Sequence, residues 1–404
     1  SFRMKAVIMA GGFGTRMRPL TCNIPKPVVN VVNKPIMEHI LSLLKLYKLD
    51  DITAILYHQP EIIKETFKDG AQLGVKINYV KTESDLGTAG AVKYSTSGVE
   101  DAFLVISGDV LTDIDLSKAI EFHKKKNSKF TIVLTRVQNP LAYGVVITEK
   151  SGKITKFLEK PSWGEVFSDT VNTGIYIIEP EAMKLVPENR EFDFSKNLFP
   201  ALMEHKIPIW GYIAHGYWRD IGNINEYKTA HYEIMDGKVA IDIPGVRKNA
   251  VGKGIWVGEG TRINPTSTLK NPVVIGKDCQ IKANVEISNS CIGDECVIDE
   301  GVSIKDSIIW SNSHIGSNSK LNKTVVCTDV KVGPNSSLVT GTIVSDSCSI
   351  GEGVTLMENI KLWPHKIVED GATVSTSLIW GDKWSRSLFN EYGVVGLANI
   401  EITP

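Results

Sequence analysis

The chain has 404 residues, of which 42% are hydrophobic and 23% charged, and a formal net charge of −1. This predicts two or three domains of ordinary globular composition. It excludes a global basic field for nucleic acid, and no stretch approaches the ~20 apolar residues that a membrane-spanning helix needs. Ser1-Phe2-Arg3 ahead of Met4 reads as an expression scar (1–3). Ala6-Val7-Ile8-Met9-Ala10 predicts a buried parallel strand, followed by a glycine-rich loop. Pro35-Ile36 opens a helix with Ile36, Ile40, Leu43, Leu44 and Tyr47 on one face, and Thr53–Tyr57 and Phe103–Ser107 are short apolar strands. The alternation continues to Asp236, which predicts an α/β domain over 4–236 with ligands beyond the carboxyl ends of its strands.

Residues 237–255 read as a linker, broken by Ile243-Pro244-Gly245. The pattern then changes. Val257-Gly258, Ile275-Gly276, Ile292-Gly293, Ile315-Gly316, Val332-Gly333 and Ile350-Gly351 recur at intervals of 18, 17, 23, 17 and 18 residues. Three hexads make one triangular coil of a parallel β-helix, so 256–380 is expected to form one. The 23-residue interval suggests a loop near Ile309–Ser313. The six cysteines form no CxxC pair and have no histidine at zinc-finger spacing. They read as thiols of a reducing cytoplasm, the expected location.

The glycine loop, Ala10-Gly11-Gly12-Phe13-Gly14-Thr15-Arg16, carries the strongest chemical signal. Glycines let backbone N–H groups approach phosphates, and Arg16, Arg18 and Lys26 add fixed positive charge. It is no Walker A loop, because no Gly-Lys-Ser/Thr follows, and no dinucleotide fingerprint, because Met17 stands where a third Gly or Ala is needed. From Gly11 through Thr21 to Pro25-Lys26-Pro27 the segment resembles the signature of the sugar-1-phosphate nucleotidyltransferases, G-G-x-G-T-R-[LM]-x-P-L-T…P-K-P. The resemblance implies a Rossmann-like nucleotidyltransferase domain with a mixed, mostly parallel sheet, followed by a left-handed β-helix. It implies the reaction of an NTP with a sugar 1-phosphate to give an NDP-sugar and pyrophosphate, with Mg²⁺ as cofactor.

Residue by residue, the resemblance makes Asp109, in Ser107-Gly108-Asp109, and Asp220, in Trp218-Arg219-Asp220-Ile221-Gly222, the metal ligands. Asp113 and Asp115 read as turn or cap residues. Arg16 is expected on the leaving pyrophosphate, Lys26 on the α-phosphate, and Arg18 in support. Ala10, Gly11, Gly12, Gly14 and Thr15 would cradle the nucleotide, with Glu83, Gly87 and Thr88 on the base side. Glu159 and Lys160, in Glu-Lys-Pro, with Asn172 and Gly144, are expected on the sugar phosphate. The form Leu86-Gly87-Thr88-Ala89-Gly90 resembles mannose-1-phosphate guanylyltransferases, which favours GTP and mannose 1-phosphate. The alternatives are glucose 1-phosphate with dTTP, UTP or ATP, and a non-catalytic regulatory subunit of the same architecture.

His314 and His365 sit in no acyltransferase motif, so the β-helix is read as an oligomerisation or regulatory element, with a homo-oligomer expected. Leu388–Asn399 resembles the opening strand of the phosphohexomutases, which makes 381–404 the start of a truncated fusion partner.

Overall fold

The computed structural model describes residues 3–379 except 11, 13, 160, 163 and 165–167. Gly11, Lys160 and the mutase-like segment 381–404 therefore lie outside the described residues. The chain divides into two compact units, and the division does not follow chain order. The first gathers residues up to 13, 25–28 and 36–221; the second gathers 14–24, 29–35 and the residues from 222 on. The change of sequence pattern near 236 thus falls inside the second unit. No helix among the described residues is long and apolar enough to cross a membrane.

The first unit is built on a nine-stranded mixed sheet. In chain order its strands are β1 (Lys5–Ala10), β2 (Asp51–Leu56), β3 (Lys76–Lys81), β4 (Phe103–Ser107), β5 (Phe130–Arg136), β6 (Val145–Thr148), β7 (Ile154–Leu158), β8 (Thr170–Ile178) and β9 (Ile209–Ile213). β3, β2, β1 and β4 form a parallel block. β8 then runs antiparallel to β4, to β5 and to β6. β1 and β4 read as continuous apolar runs because both of their faces are covered. The expected helix forms as α1 (Ile36–Leu46), which buries Ile36, Ile40, Leu43 and Leu44. On the antiparallel side Phe130, Tyr176, Phe194 and Phe199 interlock; the Phe130 and Phe199 rings meet edge-on, 5.4 Å between centroids.

The second unit is a parallel β-helix with three faces. Its interior is a column of aliphatic side chains, among them Ile275, Ile292, Ile309, Val326, Val344 and Leu362 on one face and Ile281, Ile298, Ile315, Val332, Ile350 and Val368 on another. Corners stack backbone on backbone: a Cβ at Gly333 would stand 2.5 Å from the Gly351 carbonyl carbon. The expected loop at Ile309–Ser313 is absent, and this is a correction. Ile292 pairs with Ile309, so the coil runs on in register. The 23-residue interval arises because the Ile-Gly signal moves from one face to the next; on the first face glycine follows Val257, Ile275 and Ile292, whereas Trp310, Cys327, Ser345 and Trp363 follow Ile309, Val326, Val344 and Leu362.

Trp310 has a reason to be there. Its indole N–H donates to the Tyr227 hydroxyl at 2.8 Å. Tyr227 lies on helix α2 (Ile224–Met235), which is capped by the Asn223 side chain accepting from the Glu226 N–H. Tyr227 in turn donates to the Asn30 carbonyl at 3.0 Å. Two earlier pieces of chain, 14–24 and 29–35, are fastened to the coil by three further hydrogen bonds. Ser345 Oγ donates to the Pro19 carbonyl, Asn23 Nδ2 to Asp346 Oδ2, and Asn33 Nδ2 to the Ile292 carbonyl.

Candidate active site

In the first unit, the carboxyl ends of β1 and β4 lie side by side, and a single glycine sets their spacing. Gly108 N–H donates to the Met9 carbonyl at 2.9 Å. A Cβ on residue 108 would fall 2.7 Å from that carbonyl oxygen and 2.8 Å from the Ala10 Cα, so no larger residue fits without moving the backbone. Asp109 follows directly. Its backbone carbonyl accepts from the Ile221 N–H at 2.8 Å, and the short strand Trp218–Asp220 pairs antiparallel with Val110–Thr112, setting Asp220 opposite Val110. Two aspartates more than a hundred residues apart in sequence thus become backbone neighbours.

Lys26 joins them. It is buried, and its Nζ donates to Asp109 Oδ2 at 3.1 Å, while the Asp109 side chain stays 37% exposed. Two hard carboxylates, one of them open to solvent, suit a Mg²⁺-class ion, which keeps several waters rather than taking an all-protein cage. Among the described residues there is no group of three or more His, Cys, Asp or Glu that could hold a metal ion.

The expected base-side loop is a correction in part: Glu83–Leu86 leads into the helix Gly87–Ser95, whose first turn holds Gly87, Thr88, Ala89 and Gly90, and this turn is held by a segment that carries no sequence signal. Thr88 N–H donates to Asp193 Oδ1 at 3.0 Å, and the Phe194 N–H donates to Thr88 Oγ1 at 2.9 Å. Gly90 N–H donates to the Phe192 carbonyl and Phe192 N–H to the Leu86 carbonyl. Asp193 thus places a carboxylate at a helix N-terminus, where it is favoured. Burial, then the charges of Asp85 and Asp193, push the nearby Tyr57 phenol up to about 12. Glu83 is exposed on the approach to this loop. No sequence signal marks Asp193, which is one acidic residue in an irregular stretch.

On the expected sugar side, Asn172 sits at a bulge in β8. Its Oδ1 accepts from the Gly174 N–H at 2.7 Å and its Nδ2 donates to the Tyr176 hydroxyl at 2.9 Å. Trp218 Nε1 donates to the Thr173 carbonyl, and the Tyr143 ring packs edge-on against Trp218. Tyr143 precedes the exposed Gly144, where a Cβ would meet only the Leu158 carbonyl, at 3.9 Å. Glu159 is exposed just past β7. Asp115 caps the helix Leu116–Lys125, accepting from the Ser117 and Lys118 N–H groups, and Asp113 Oδ1 accepts from the Tyr217 N–H. Both are the cap and turn residues the sequence predicts.

The glycine loop is shared out between the units. Ala10, buried at the end of β1, and Gly12, exposed with φ +97°, belong to the first. Gly14, Thr15 and Arg16 belong to the second. There the Gly14 carbonyl accepts from Thr21 Oγ1 at 2.7 Å, Thr15–Met17 forms a 3₁₀ turn, Met17 is fully buried and Arg16 is exposed.

Residues 5–237 match the nucleotidyl transferase family, and residues 252–356 match the EIF2B subunit epsilon LbH (left-handed β-helix) domain. A UTP–glucose-1-phosphate uridylyltransferase of Synechocystis sp. is 35% identical, over 72% of this chain and 82% of its own length. Mannose-1-phosphate guanylyltransferases of Mycobacterium tuberculosis and Arabidopsis thaliana are 30% and 32% identical, over 72% of this chain and 80% and 78% of theirs. Among solved structures, HddC from Yersinia pseudotuberculosis complexed with GMP-PN aligns with TM-score 0.50 and 25% identity, covering 57% of this chain and 99% of that one. A glucose-1-phosphate thymidylyltransferase fold from Bacillus anthracis aligns with TM-score 0.51 over 56% of this chain and 94% of its own.

Proposed function

The chain belongs to the nucleotidyl transferase family, and from that premise we propose that it transfers GMP from GTP to mannose 1-phosphate, forming GDP-mannose and releasing pyrophosphate. The observation that carries the guanylyl choice is the Leu86-Gly87-Thr88-Ala89-Gly90 helix start, the form resembling guanylyltransferases, held by Asp193 and Phe192. The mannose-1-phosphate guanylyltransferases among its relatives support the same choice.

In the proposed reaction a sugar-phosphate oxygen attacks the α-phosphorus, and the bond from that phosphorus to the β-phosphate oxygen breaks in line. No covalent intermediate on the protein is required, so the residues work by neutralising charge and fixing the approach. Lys26 is poised for the α-phosphate: it is buried, and its partner Asp109 can turn to a cation as Lys26 turns to the phosphate. Asp109 and Asp220 would hold a Mg²⁺-class ion, whose chemistry there would be charge neutralisation at the phosphate oxygens. The open face at Gly144, bordered by Tyr143 and Trp218, leaves room for a sugar ring, with Glu159 and, on sequence grounds alone, Lys160 as its polar contacts.

The test is pyrophosphate release with Mg²⁺ over a grid of GTP, ATP, UTP and dTTP against mannose, glucose and N-acetylglucosamine 1-phosphates. GTP with mannose 1-phosphate is expected to dominate. A dominant UTP–glucose 1-phosphate signal, which the Synechocystis relative favours, keeps the mechanism and overturns the substrate.

A further inference from the structure

The second unit contains a cavity of ≈ 380 Å³, and of its lining residues Arg16 alone carries an expected role in the proposed reaction. Three cations from separate stretches of chain line it: Arg16 on the 3₁₀ turn, Lys228 in the first half of α2, and Lys361 on the coil strand paired with Ile343. Asn223, Asn225 and Asn359 supply polar groups between them. Among the described residues no aspartate or glutamate lines the cavity, and neither Lys228 nor Lys361 has an ion-pair partner.

Gathering like charges without a counter-ion costs free energy. The strain is visible at Lys228, whose amine is pulled below the ordinary lysine range first by burial and then by the charge of Lys361. The cavity also lies at the first turns of α2, whose positive end adds to the same field. Three cations, amide donors and a helix N-terminus facing one space make a chemical complement to a dianion.

We propose that this cavity binds a phosphate group, with Lys228 and Lys361 as its charge partners and no residue of the first unit taking part. The phosphate can come free or carried on a small metabolite, since both present the same dianionic head. Isothermal titration of the full chain with inorganic phosphate and with glucose 6-phosphate, against potassium chloride of matched ionic strength, separates the two sources: the tighter of the two is the carrier. Lys361→Gln and Lys228→Gln are expected to weaken binding of the preferred probe about tenfold each. Arg16 is left intact because the sequence assigns it to pyrophosphate. Turnover of Lys361→Gln without added phosphate is expected to stay within about twofold of the parent. Heat of binding no greater than with chloride, or equal affinity in Lys361→Gln and the parent, overturns the proposal. So does an NTP KM that rises in step with the lost phosphate affinity, since the cavity would then be part of the substrate site. Lys361→Gln lies on the coil surface, so the test stands even if Lys228→Gln fails to fold. A chain that binds phosphate yet turns over no substrate pair would leave this site intact and sink the proposed reaction instead.

Discussion

The two units of this chain solve opposite problems. The coil repeats one rule: an aliphatic residue enters the column at each face, and the next coil presents its partner in register. Even its buried polar groups repeat, as Ser290, Ser307, Thr324 and Thr342 pass hydrogen bonds from one coil to the next. In the sheet unit nothing at the site is repeated. Lys26, Asp109 and Asp220 come from three distant stretches, and each occurs once. Repetition spreads stability over equivalent positions, whereas the site concentrates its chemistry in residues with no substitute. Substitutions in the coil should therefore cost stability without cost in rate, and substitutions at the aspartates the reverse.

The sharpest break of that contrast is at the carboxylates. Asp109→Asn and Asp220→Asn are each expected to lower kcat about 10³-fold, about 4 kcal/mol of barrier, with the melting temperature held. Near-normal kcat in either variant would remove that residue from the reaction. Next comes Ile315→Ala in the coil column. Ile315 is fully buried between Ile298 and Val332, and its truncation should cost about 3 kcal/mol of unfolding free energy, read by denaturant titration, with kcat at 25 °C unchanged. A rate loss there without a stability loss would show that the two units do not divide their work in this way.

Gly108→Ala is the case that should move both. Its Cβ would press on the Met9 carbonyl and the Ala10 Cα, an overpacking worth about 2 kcal/mol, and the displaced backbone carries Asp109. Stability and kcat are expected to fall together. A loss in one alone would mean that the approach of β1 to β4 does not position the carboxylate.

This glycine also shows what the sequence made legible. Ser107-Gly108-Asp109 was readable as a strand end bearing a carboxylate, and the coil was readable because its rule recurs every 17 or 18 residues. What escaped is what occurs once. The Ile-Gly signal changes face once, where Trp310 begins a run of corners without glycine (Cys327, Ser345, Trp363), and the Trp310 indole N–H meets Tyr227, 83 residues earlier. Asp193 holds Thr88 across 105 residues with no motif around it. The attachment of 14–24 to the coil rests in part on the Pro19 backbone carbonyl, which no side-chain pattern encodes, beside the Asn23–Asp346 side-chain bond.

The smallest effect sharpens the same contrast through pH. The coil's buried hydroxyls do not titrate in the physiological range, but the sheet unit buries His123, whose Nδ1 meets Thr131 Oγ1 at 2.7 Å and whose Nε2 meets Glu179 Oε1 at 3.1 Å. Burial lowers its pKa, against the partial opposition of the Glu179 hydrogen bond and charge. The fold therefore favours the neutral ring, while the unfolded chain takes up a proton near pH ~6.5. The folded state binds fewer protons, so its stability is full above that pH and declines as pH falls through it towards the lower folded value. Melting temperatures of the parent and His123→Gln, compared from pH 7.5 to 5.5, should converge as pH falls, because only the parent carries this loss. If the parent instead gains on the glutamine variant in acid, the ring is charged in the fold and Glu179 outweighs burial.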